Sequence, residues 1–334
     1  MTASEVSIIL PIYNGRGFIS SVASRLAPLI EAGAELIVVD DGSSDGSWDS
    51  MQAQWGSVSS IRLIRFDRNQ GVASARNAAL ERTSREYVWF TDVDDDWSPN
   101  ILDVATRAAN RAGADIVLFG ADLAPDHKSE GVQIDNFVAP GAYDAWQIQV
   151  QMLRGRVHGF LWSKLFSRRL LRPEHFPAMS SQSDFVGVAR ALEDAVKIEV
   201  IPDVLYKHVE RMGSISRAKN PKSENLLTAQ KEFFSTISPE VASSSLGNYF
   251  RVWFVALAAV DTTSRYRADA ETRSAAHTLA RRELADIQLL RLMPLGPSSV
   301  AKAMLMRAAP RLYDLTYTLA RSSVQVIRRK KNGK

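Results

Sequence analysis

The sequence predicts an α/β fold with a mostly parallel central sheet, followed by a helical C-terminal region. Three observations lead to this prediction. Short apolar runs alternate with segments of helical spacing through the first 120 residues, as in βαβ units with helices on both faces of a sheet. Polar clusters follow the apolar runs where strands should end. Beyond about residue 221 only helical spacing is found.

The apolar runs are predicted strands because they are short and bounded by turn residues such as Asn, Asp and Gly. In the first part of the chain they are Val6–Ile12, Glu35–Val39, Ile61–Phe66, Tyr87–Phe90 and Asp115–Gly120. A further strand is predicted at Lys197–Ile201. Parallel strands end at one edge of their sheet, and α/β proteins bind their ligands at that edge.

Apolar residues spaced three and four apart predict the helices. Among the strands these are Gly17–Ala32, Ser47–Trp55, Val72–Thr83, Pro99–Ala112, Tyr143–Arg154 and Gly187–Glu193. In the C-terminal part they are Glu224–Ile237, Val241–Val260, Glu271–Leu292, Ser298–Ala308 and Leu312–Ile327. Because 334 residues exceed one compact core, we expect a domain of residues 1–217 and a helical region of residues 218–334.

The composition is that of an ordinary globular protein, with 46% hydrophobic and 23% charged residues. The absence of cysteine excludes disulfides, thiolate zinc sites and a cysteine nucleophile, and it fits a reducing compartment. No signal peptide is visible, and the longest apolar run, Val252–Val260, is too short to span a bilayer. We expect a cytoplasmic location, with peripheral association at the inner face of the plasma membrane as a second option.

The net charge of +4 is unevenly distributed. Residues 297–334 contain a single acidic residue, Asp314, and nine basic residues: Lys302, Arg307, Arg311, Arg321, Arg328, Arg329, Lys330, Lys331 and Lys334. Beside them runs an apolar stripe of Val300, Met304, Leu305, Ala308, Leu312, Leu315 and Leu319. This pattern suits basic helices lying on an anionic membrane. The alternative is a helix packed on the protein with solvated basic residues. No nucleic-acid-binding module is found.

The most informative stretch is Tyr87–Trp97, where an apolar run stops at Asp92, Asp94, Asp95 and Asp96. Carboxylates packed this closely repel one another, and their burial without partners is costly. A divalent cation that prefers oxygen ligands, Mg²⁺ or Mn²⁺, removes this conflict and can also hold substrate phosphates. The alternative interpretation is a solvated acidic loop ahead of a helix.

Four segments together resemble the motifs of family 2 glycosyltransferases: Val6–Asn14, Ile37–Ser44, Asn69–Asn77 and Phe90–Asp96. The resemblance covers about residues 4–217 and implies the GT-A fold, a Rossmann-like sheet flanked by helices. It also implies an inverting enzyme that transfers a hexosyl or N-acetylhexosaminyl group. The expected donor is a nucleotide-diphosphate sugar, most simply a UDP-sugar.

The resemblance implies a nucleotide-sugar site made of Pro11, Tyr13, Asn14, Asp40, Asp41, Arg76, Asp92 and Val93. Tyr13 would stack on the base, and Asp41 would accept a hydrogen bond from a base N–H or contact the ribose. Asp40 would orient this loop. The alternatives are a partly buried loop tyrosine at Tyr13 and a simple tight turn at Asp41. Arg76 would lie beneath the diphosphate or brace the acidic loop.

The resemblance assigns the metal to Asp92 and Asp94, with Asp95 adjoining, and Mn²⁺ or Mg²⁺ would bridge the two phosphates of the donor. If this segment is extended, residues two apart point to the same face. Which of Asp94 and Asp95 is the direct ligand stays open at this point. As a Lewis acid, the metal would stabilise charge on the leaving nucleoside diphosphate.

Asp184 matches the carboxylate that takes the proton from the acceptor hydroxyl in such enzymes. The chain departs from the pattern at Ser183, where the family usually has a glutamate, and the pair at residues 193–194 is a rival. On the acceptor and diphosphate side the resemblance places Trp162, Lys164, His208 and Arg211. Core packing is the alternative for Trp162.

We therefore predict an enzyme that adds a sugar to an envelope glycan or to a lipid-linked acceptor. An alternative within the enzyme class is a polyprenyl-phosphate sugar synthase, whose phosphate acceptor needs no strong base. An alternative outside it is a catalytically silent module that binds a glycan or a protein partner. Replacement of Asp184 separates the first two, and metal-dependent binding of UDP argues against the third.

Overall fold

The computed structural model describes residues 3–209 and 222–319, and within them a ten-stranded sheet forms. Its strands are β1 (Val6–Ile12), β2 (Glu35–Asp40), β3 (Ile61–Arg65), β4 (Tyr87–Phe90), β5 (Asp96–Trp97), β6 (Ile116–Ala124), β7 (Val132–Asp135), β8 (Gly141–Tyr143), β9 (Lys164–Ser167) and β10 (Ile198–Val209). The six predicted strands all form. Short strands β5, β7, β8 and β9 were not predicted.

Through α7 the α-helices follow the predicted order with changes at their ends, whereas in the C-terminal part the helix predicted at Glu271–Leu292 ends at Leu284 and the one predicted at Val241–Val260 is divided. They are α1 (Ile19–Glu31), α2 (Ser47–Trp55), α3 (Val72–Leu80), α4 (Ile101–Ala112), α5 (Ala145–Leu153), α6 (Ser183–Asp194), α7 (Glu224–Ser235), α8 (Pro239–Ser243), α9 (Ser245–Phe250), α10 (Ala258–Arg265), α11 (Ala270–Leu284) and α12 (Pro297–Ala308). A further helical segment covers residues 310–319.

The sheet has the order β3-β2-β1-β4-β9-β6-β10-β5, with β7 beside β6 and β8 beside β10. Strands β3, β2, β1 and β4 are parallel to one another, as are β6 and β10. Strand β9 lies between β4 and β6 and is antiparallel to both. The predicted α/β class with a mostly parallel central sheet is confirmed.

Helices cover both faces of this sheet, so the strands β1, β2 and β4 are buried on both sides. In β1, Ile8 and Leu10 belong to one apolar core together with residues of α1, α2 and α4. Ile9 between them is also fully buried and points to the other face, where α3 packs on β1 and β2. The near-continuous apolar runs in the sequence follow from this double coverage.

The parallel strands β1, β2 and β4 end at one edge, and the functional loops start there. Strand β9 runs the other way, with Leu165 opposite Trp89 and Ser167 opposite Tyr87. The chain therefore enters β9 at the same edge that β4 leaves. The acidic segment that follows β4 and the segment that precedes β9 therefore meet at this edge.

The chain divides into two compact units. The first comprises residues 1–149 and 156–211, and the second comprises residues 150–155 and 212–334. In the second unit, a π-helical segment Arg251–Leu257 is surrounded by α9, α10, α11 and α12. The long helix predicted at Val241–Val260 is therefore wrong, since the chain breaks after Ser243 and changes helical type after Phe250. Within the described residues, no helix combines the length and apolar character needed to cross a bilayer.

Gly42, directly after the second strand motif, requires glycine for two reasons. Its φ is +70°, and an added Cβ would lie 2.3 Å from the carbonyl carbon of Arg68 and 2.5 Å from the nitrogen of Asn69. Because the obstructing atoms are backbone, no side-chain rotation relieves the clash. This close approach holds the loop after β2 against the loop ahead of α3.

Gly42→Ala is expected to lower the free energy of unfolding by at least about 2 kcal/mol, because left-handed strain and the backbone clash add. Chemical denaturation monitored by circular dichroism measures this. Gly17→Ala is the matched control, since a Cβ there meets nothing within 4 Å and no positive φ is required. Equal stability of the two variants would contradict the prediction.

Candidate active site

The acidic segment after β4 forms a turn at the carboxyl edge of the sheet. The backbone N–H of Asp95 donates to the carbonyl oxygen of Asp92 at 3.4 Å, which closes residues 92–95. Asp92 and Asp94 therefore do not alternate along an extended segment, which corrects the expectation from the sequence. The turn holds both residues partly exposed at the edge of the sheet.

Asp95 is fully buried and fixes this turn to β10. Its carboxylate accepts hydrogen bonds from the Tyr206 hydroxyl at 2.7 Å and the Val209 N–H at 2.8 Å, and it lies 2.9 Å from His208 Nδ1. Burial favours the neutral imidazole, but the hydrogen bond to Asp95 raises the pKa of His208. With its oxygens so occupied, Asp95 is not available as a metal ligand, which corrects the role predicted for it. His208 contacts the turn through Nδ1 and has a side chain that is 28% exposed, so its place on the diphosphate side stays a prediction.

Arg76 on α3 is a buried cation that joins two predicted site carboxylates. Its side chain is only 4% exposed, its Nη2 lies 3.5 Å from Asp92 Oδ1, and its Nη1 pairs with Asp184 Oδ1. Burial raises the pKa of Asp92 to about 7, opposed by Arg76 and reinforced by Asp95 and Asp94. The side chains of residues 76, 92 and 184 thus form one charged group, which we call the Arg76 group.

Asp184 lies in the first turn of α6 and has a side chain that is 31% exposed. The hydroxyl of Ser183, which replaces the usual glutamate, donates to Asp184 Oδ1 at 3.1 Å. Asn77, the neighbour of Arg76, exchanges two hydrogen bonds with the backbone of Phe176 at 2.8 and 2.9 Å. Helix α3 is therefore tied to the segment that leads into α6, which sets the position of both partners of the ion pair.

The loops after β1 and β2 are joined by hydrogen bonds at the same edge. The backbone N–H of Asn14 donates to Ser43 Oγ at 2.9 Å, and Asn14 Oδ1 accepts from the Ser44 N–H at 3.0 Å. Tyr13 is 44% exposed, as stacking on a base requires, and Pro11 is half-buried. The structure brings the predicted residues of the first two motifs together.

Asp40 and Asp41 at the end of β2 are both buried and brace loops. The Asp41 carboxylate accepts from the N–H groups of Gln70 and Gly71 at 2.7 and 2.9 Å, although burial still raises its pKa. Asp40 accepts from the Ser43 N–H at 3.1 Å. Loop bracing was predicted for Asp40 and also holds for Asp41, whose oxygens carry the loop that leads into α3.

Three further predicted site residues are buried instead of facing a ligand. Lys164 is 1% exposed, and its Nζ donates to Asp135 Oδ2 at 3.0 Å. Trp162 is 5% exposed, with its ring stacked 4.8 Å from that of Tyr206. Val93 is 6% exposed within the core. The acceptor-side prediction is corrected for Lys164 and Trp162, because a buried ion pair and core packing account for them.

Lys164→Met is expected to lower the free energy of unfolding by about 3–5 kcal/mol, because Asp135 would remain buried without its partner. Burial opposes ionisation of Asp135, yet Lys164 and its other neighbours hold the pKa of that carboxyl well below its ordinary value. Denaturant titration measures the loss. Lys231→Met, at an exposed lysine of α7, should change stability by less than about 0.5 kcal/mol.

The double variant Asp135→Asn/Lys164→Met should recover part of that loss, because it removes both charges. Unchanged stability of Lys164→Met with weakened donor binding would return Lys164 to the diphosphate side.

The structure adds the rings of His158 and Phe160 to the predicted site residues Trp162 and His208. With centroids 4.5–5.8 Å apart, the stack consists of His158, Phe160, Trp162 and His208. An added Cβ at Gly159 would lie 2.3 Å from the Cα of Phe185, so this segment packs directly beside the residue after Asp184. His158 and Phe160 are partly exposed. Rings at every second position of residues 158–162 were the signal that could have revealed the stack.

The fit of a divalent cation rests on the carboxylates of the turn. Among the described residues, no three His, Asp or Glu side chains are grouped as a complete metal site. However, Mg²⁺ typically uses one or two carboxylates together with substrate phosphates and water. Asp92 fits this pattern, since it is one-third exposed and its pKa is raised by burial despite Arg76. Asp92 and Asp94 are therefore compatible with a cation that a bound diphosphate completes.

The predicted C-terminal stripe divides into a buried and an exposed part. Val300 faces the core of the second unit, whereas Leu312, Leu315 and Leu319 are 48%, 55% and 59% exposed. Arg211 and the basic residues from Arg321 onward lie outside the described residues.

Comparison with known proteins identifies relatives of this chain. The family model described as Glycosyl transferase family 2 matches residues 7–177, which is half of the chain. TuaG of Bacillus subtilis, a glycosyltransferase named for teichuronic acid biosynthesis, is 38% identical over 98 residues, or 29% of this chain and 39% of TuaG. Glycosyltransferase GlyG of Streptococcus pneumoniae is 24% identical over 225 residues, or 64% of this chain and 73% of GlyG.

A third relative is WfgD of Escherichia coli, named as a UDP-Glc:alpha-D-GlcNAc-diphosphoundecaprenol beta-1,3-glucosyltransferase. It is 38% identical over 99 residues, or 30% of this chain and 38% of WfgD. The chain therefore spans about two-fifths of TuaG and of WfgD.

Solved structures share the fold at low sequence identity. Residues 1–349 of TarS from S. aureus, in complex with UDP-GlcNAc, superpose with a TM-score of 0.69 and 19% identity, covering 92% of each chain. The mannosyltransferase PcManGT from Pyrobaculum calidifontis, in complex with GDP-Man and Mn²⁺, gives a TM-score of 0.54 at 16% identity, covering 92% of this chain and 88% of PcManGT. The predicted GT-A fold is confirmed.

Proposed function

The chain belongs to glycosyl transferase family 2 and is a glycosyltransferase, and from this premise we propose that it transfers a sugar from a nucleotide-diphosphate donor to a hydroxyl group with inversion. The transferred group is a hexosyl or N-acetylhexosaminyl unit. Residues 1–217 would form the catalytic domain and residues 218–334 the helical region. The proposal depends on the site at the carboxyl edge of the sheet.

The Arg76 group is the observation that carries this proposal. It holds Asp92, on the donor side, and Asp184, the candidate base, against one buried guanidinium. In a single displacement the leaving diphosphate and the attacking hydroxyl lie on opposite sides of one carbon atom. The groups that serve them must therefore lie within one small site, as these two carboxylates do.

The donor is proposed to lie across the loops after β1, β2 and β4. Tyr13 is exposed beside the joined loops and offers a ring face to the base. UDP is favoured because the name of WfgD specifies UDP-Glc and TarS was crystallised with UDP-GlcNAc. Asp92 and Asp94 would hold Mn²⁺ or Mg²⁺, which when bound acts as a Lewis acid toward the leaving diphosphate. Mn²⁺ in the PcManGT complex supports this choice of cofactor.

Asp184 is proposed to accept the proton of the acceptor hydroxyl as its oxygen attacks the anomeric carbon. Its partial exposure permits contact with a substrate, and Ser183 and Arg76 fix its orientation through Oδ1. The second carboxylate oxygen would be the one that faces the acceptor. Phe160 and His158 lie beside this helix end and offer ring faces to the apolar side of an acceptor sugar.

The acceptor class is proposed to be an envelope glycan or a lipid-linked glycan. Two relatives support this class by name, one through teichuronic acid biosynthesis and one through a diphosphoundecaprenol-linked acceptor. The exposed leucines of the last helical segment and the charge of residues 297–334 support contact with an anionic membrane, where such acceptors reside.

A hydrolysis screen tests the proposed donor and metal. Purified full-length chain is incubated with a panel of UDP-, GDP- and dTDP-sugars, with and without Mn²⁺, and free sugar is measured. We expect slow hydrolysis of one UDP-sugar only when Mn²⁺ is present. Titration calorimetry with UDP should show binding that requires Mn²⁺, and its absence together with no hydrolysis would indicate a module without transferase activity.

A further inference from the structure

The second unit has a surface cavity of about 590 Å³ that the proposed transfer reaction does not use. Helix α11 forms one wall and the beginning of the last helical segment forms the other. The lining residues are Ser274, His277, Thr278, Arg281, Ala309, Pro310, Arg311, Leu312 and Asp314. Polar and cationic groups thus meet an apolar side chain in one open depression.

Two arginines give the cavity its charge. Arg281 and Arg311 are both exposed, and neither makes an ion pair or side-chain hydrogen bond with any residue in the described part of the chain. Guanidinium groups are suited to binding phosphate through paired N–H donors. Ser274 and Thr278 lie on the same wall as Arg281, and the Thr278 hydroxyl donates to the carbonyl oxygen of Ser274 at 2.9 Å. The cavity therefore has the chemistry of an anion site.

A side-chain contact connects the two walls of the cavity. His277 Nε2 lies 3.0 Å from Asp314 Oδ2, which joins the two helices across the cavity. Tyr313, next to Asp314, is buried and donates its hydroxyl to Asp261 Oδ1 at 2.5 Å. Within the described residues, His277 Nδ1 and Asp314 Oδ1 are buried without a hydrogen-bond partner. An ordered water would satisfy these atoms, which take no part in binding an anion.

An exposed apolar surface extends from the cavity along the last helical segment. Leu312 lines the cavity and is 48% exposed, and Leu315, one turn further along the same helical face, is 55% exposed. A free phosphate has no apolar part that could contact this surface, whereas a phosphate attached to an acyl or prenyl chain has one. The charge of residues 297–334 also favours an anionic surface over a neutral one.

We propose that the cavity between α11 and the last helical segment binds the phosphate of a membrane lipid, through Arg281 and Arg311, while Leu312 and Leu315 contact the lipid chains. This inference rests on the proposed membrane contact and gives it a specific headgroup site. It does not rest on the catalytic assignment of Asp184. A phosphomonoester is the favoured headgroup, because it carries more charge and more free oxygens than a phosphodiester.

Vesicle co-sedimentation of the full-length chain tests the site. Phosphatidylcholine vesicles containing phosphatidic acid are compared with vesicles containing phosphatidylglycerol at the same mole fraction. We expect tighter binding to phosphatidic acid, and a loss of at least about tenfold in the Arg281→Gln/Arg311→Gln variant. Arg273→Gln/Arg291→Gln removes two exposed arginines outside the cavity; it is the control of equal charge change and should bind like the wild type.

Several results would overturn the site. Equal binding of the Arg281→Gln/Arg311→Gln variant and the Arg273→Gln/Arg291→Gln control would show that general charge attraction accounts for the membrane contact. If the wild-type chain bound to no anionic vesicles, the proposed membrane contact itself would be wrong. Stabilisation by inorganic phosphate alone, with Leu312→Ser binding vesicles as well as wild type, would assign the cavity to a soluble phosphate.

Two further measurements keep these outcomes distinct. The melting temperature of each variant is measured first, and single Arg311→Gln replaces the double variant if the latter unfolds. Hydrolysis of the nucleotide-sugar donor without vesicles should be unchanged in all these variants. Loss of the headgroup preference with donor hydrolysis intact contradicts the lipid site alone, whereas a wild type without donor hydrolysis contradicts the proposed function.

Discussion

Asp184→Asn should lower kcat for transfer to a hydroxyl acceptor by about 10²–10⁴-fold, the range that a positioned general base contributes. Asparagine keeps the shape of the side chain and can still contact Ser183, but it cannot accept the hydroxyl proton. Arg76 loses one of its two carboxylate partners and retains Asp92. Donor binding should therefore change much less than kcat. Steady-state kinetics with varied acceptor, together with titration calorimetry of UDP and Mn²⁺, measures the two effects separately.

Glu193→Gln is the matched control for this experiment. Glu193 lies on the same helix α6, is exposed, and belongs to the rival acidic pair suggested by the sequence. It should transfer sugar at the wild-type rate. If Asp184→Asn also keeps a nearly normal rate, the acceptor does not need a base, and the polyprenyl-phosphate sugar synthase becomes the better interpretation. If only Glu193→Gln is impaired, the base has been placed at the wrong end of the helix.

Asp94→Ala should reduce donor turnover by about 100-fold or more, since a Lewis acid at the leaving group contributes several kcal/mol. The variant should also lose the Mn²⁺ dependence of UDP binding. Asp94 is half-buried at the end of a turn, and Asp92 keeps its contact with Arg76 in the variant. The fold should therefore survive, which a melting curve checks. Removal of the metal by EDTA should affect the wild type strongly and the variant little.

Asp103→Ala provides a control of equal charge change. Asp103 on α4 has a side chain that is 45% exposed and forms an ion pair with Arg107 at 2.6 Å within its helix, so its loss should be neutral for turnover. Asp95→Asn differs from both variants in kind, because Asp95 is buried in a hydrogen-bond network. We expect it to lower stability first. Full Mn²⁺-dependent activity in Asp94→Ala would exclude this residue from the metal site.

Local patterns were sufficient to predict the elements and the edge of the sheet at which the site forms. Strands β1, β2 and β4 are nearly continuous apolar runs, and the polar residues that follow each of them mark its end. Short antiparallel strands such as β5 and β9 have too few residues to show a period, so they were missed. The break after Ser243 was missed for another reason: the apolar spacing on both sides fits one uninterrupted helix.

Partners far apart in the sequence explain the errors within the site. The sequence predicts that Lys164 faces a ligand because it does not show that Lys164 pairs with the buried Asp135. Asp95 reads as a metal ligand until β10 supplies Tyr206 and the Val209 N–H. In both cases burial and pairing are decided by strands that the local pattern cannot place. The pairing of Arg76 with Asp92 and Asp184 likewise required the packing of α3 beside α6.

The reversed direction of β9 separates two kinds of chain segment at the edge of the sheet. Loops that depart from β1, β2 and β4 carry the side chains proposed for the donor, whereas residues 158–162 arrive at the same edge before β9 begins. If the proposed function is correct, substitutions at the exposed rings of the arriving segment should alter acceptor choice more than donor choice. Trp162, whose carbonyl oxygen accepts from the Trp89 indole N–H at 3.0 Å, anchors this segment to β4 and should tolerate no such change.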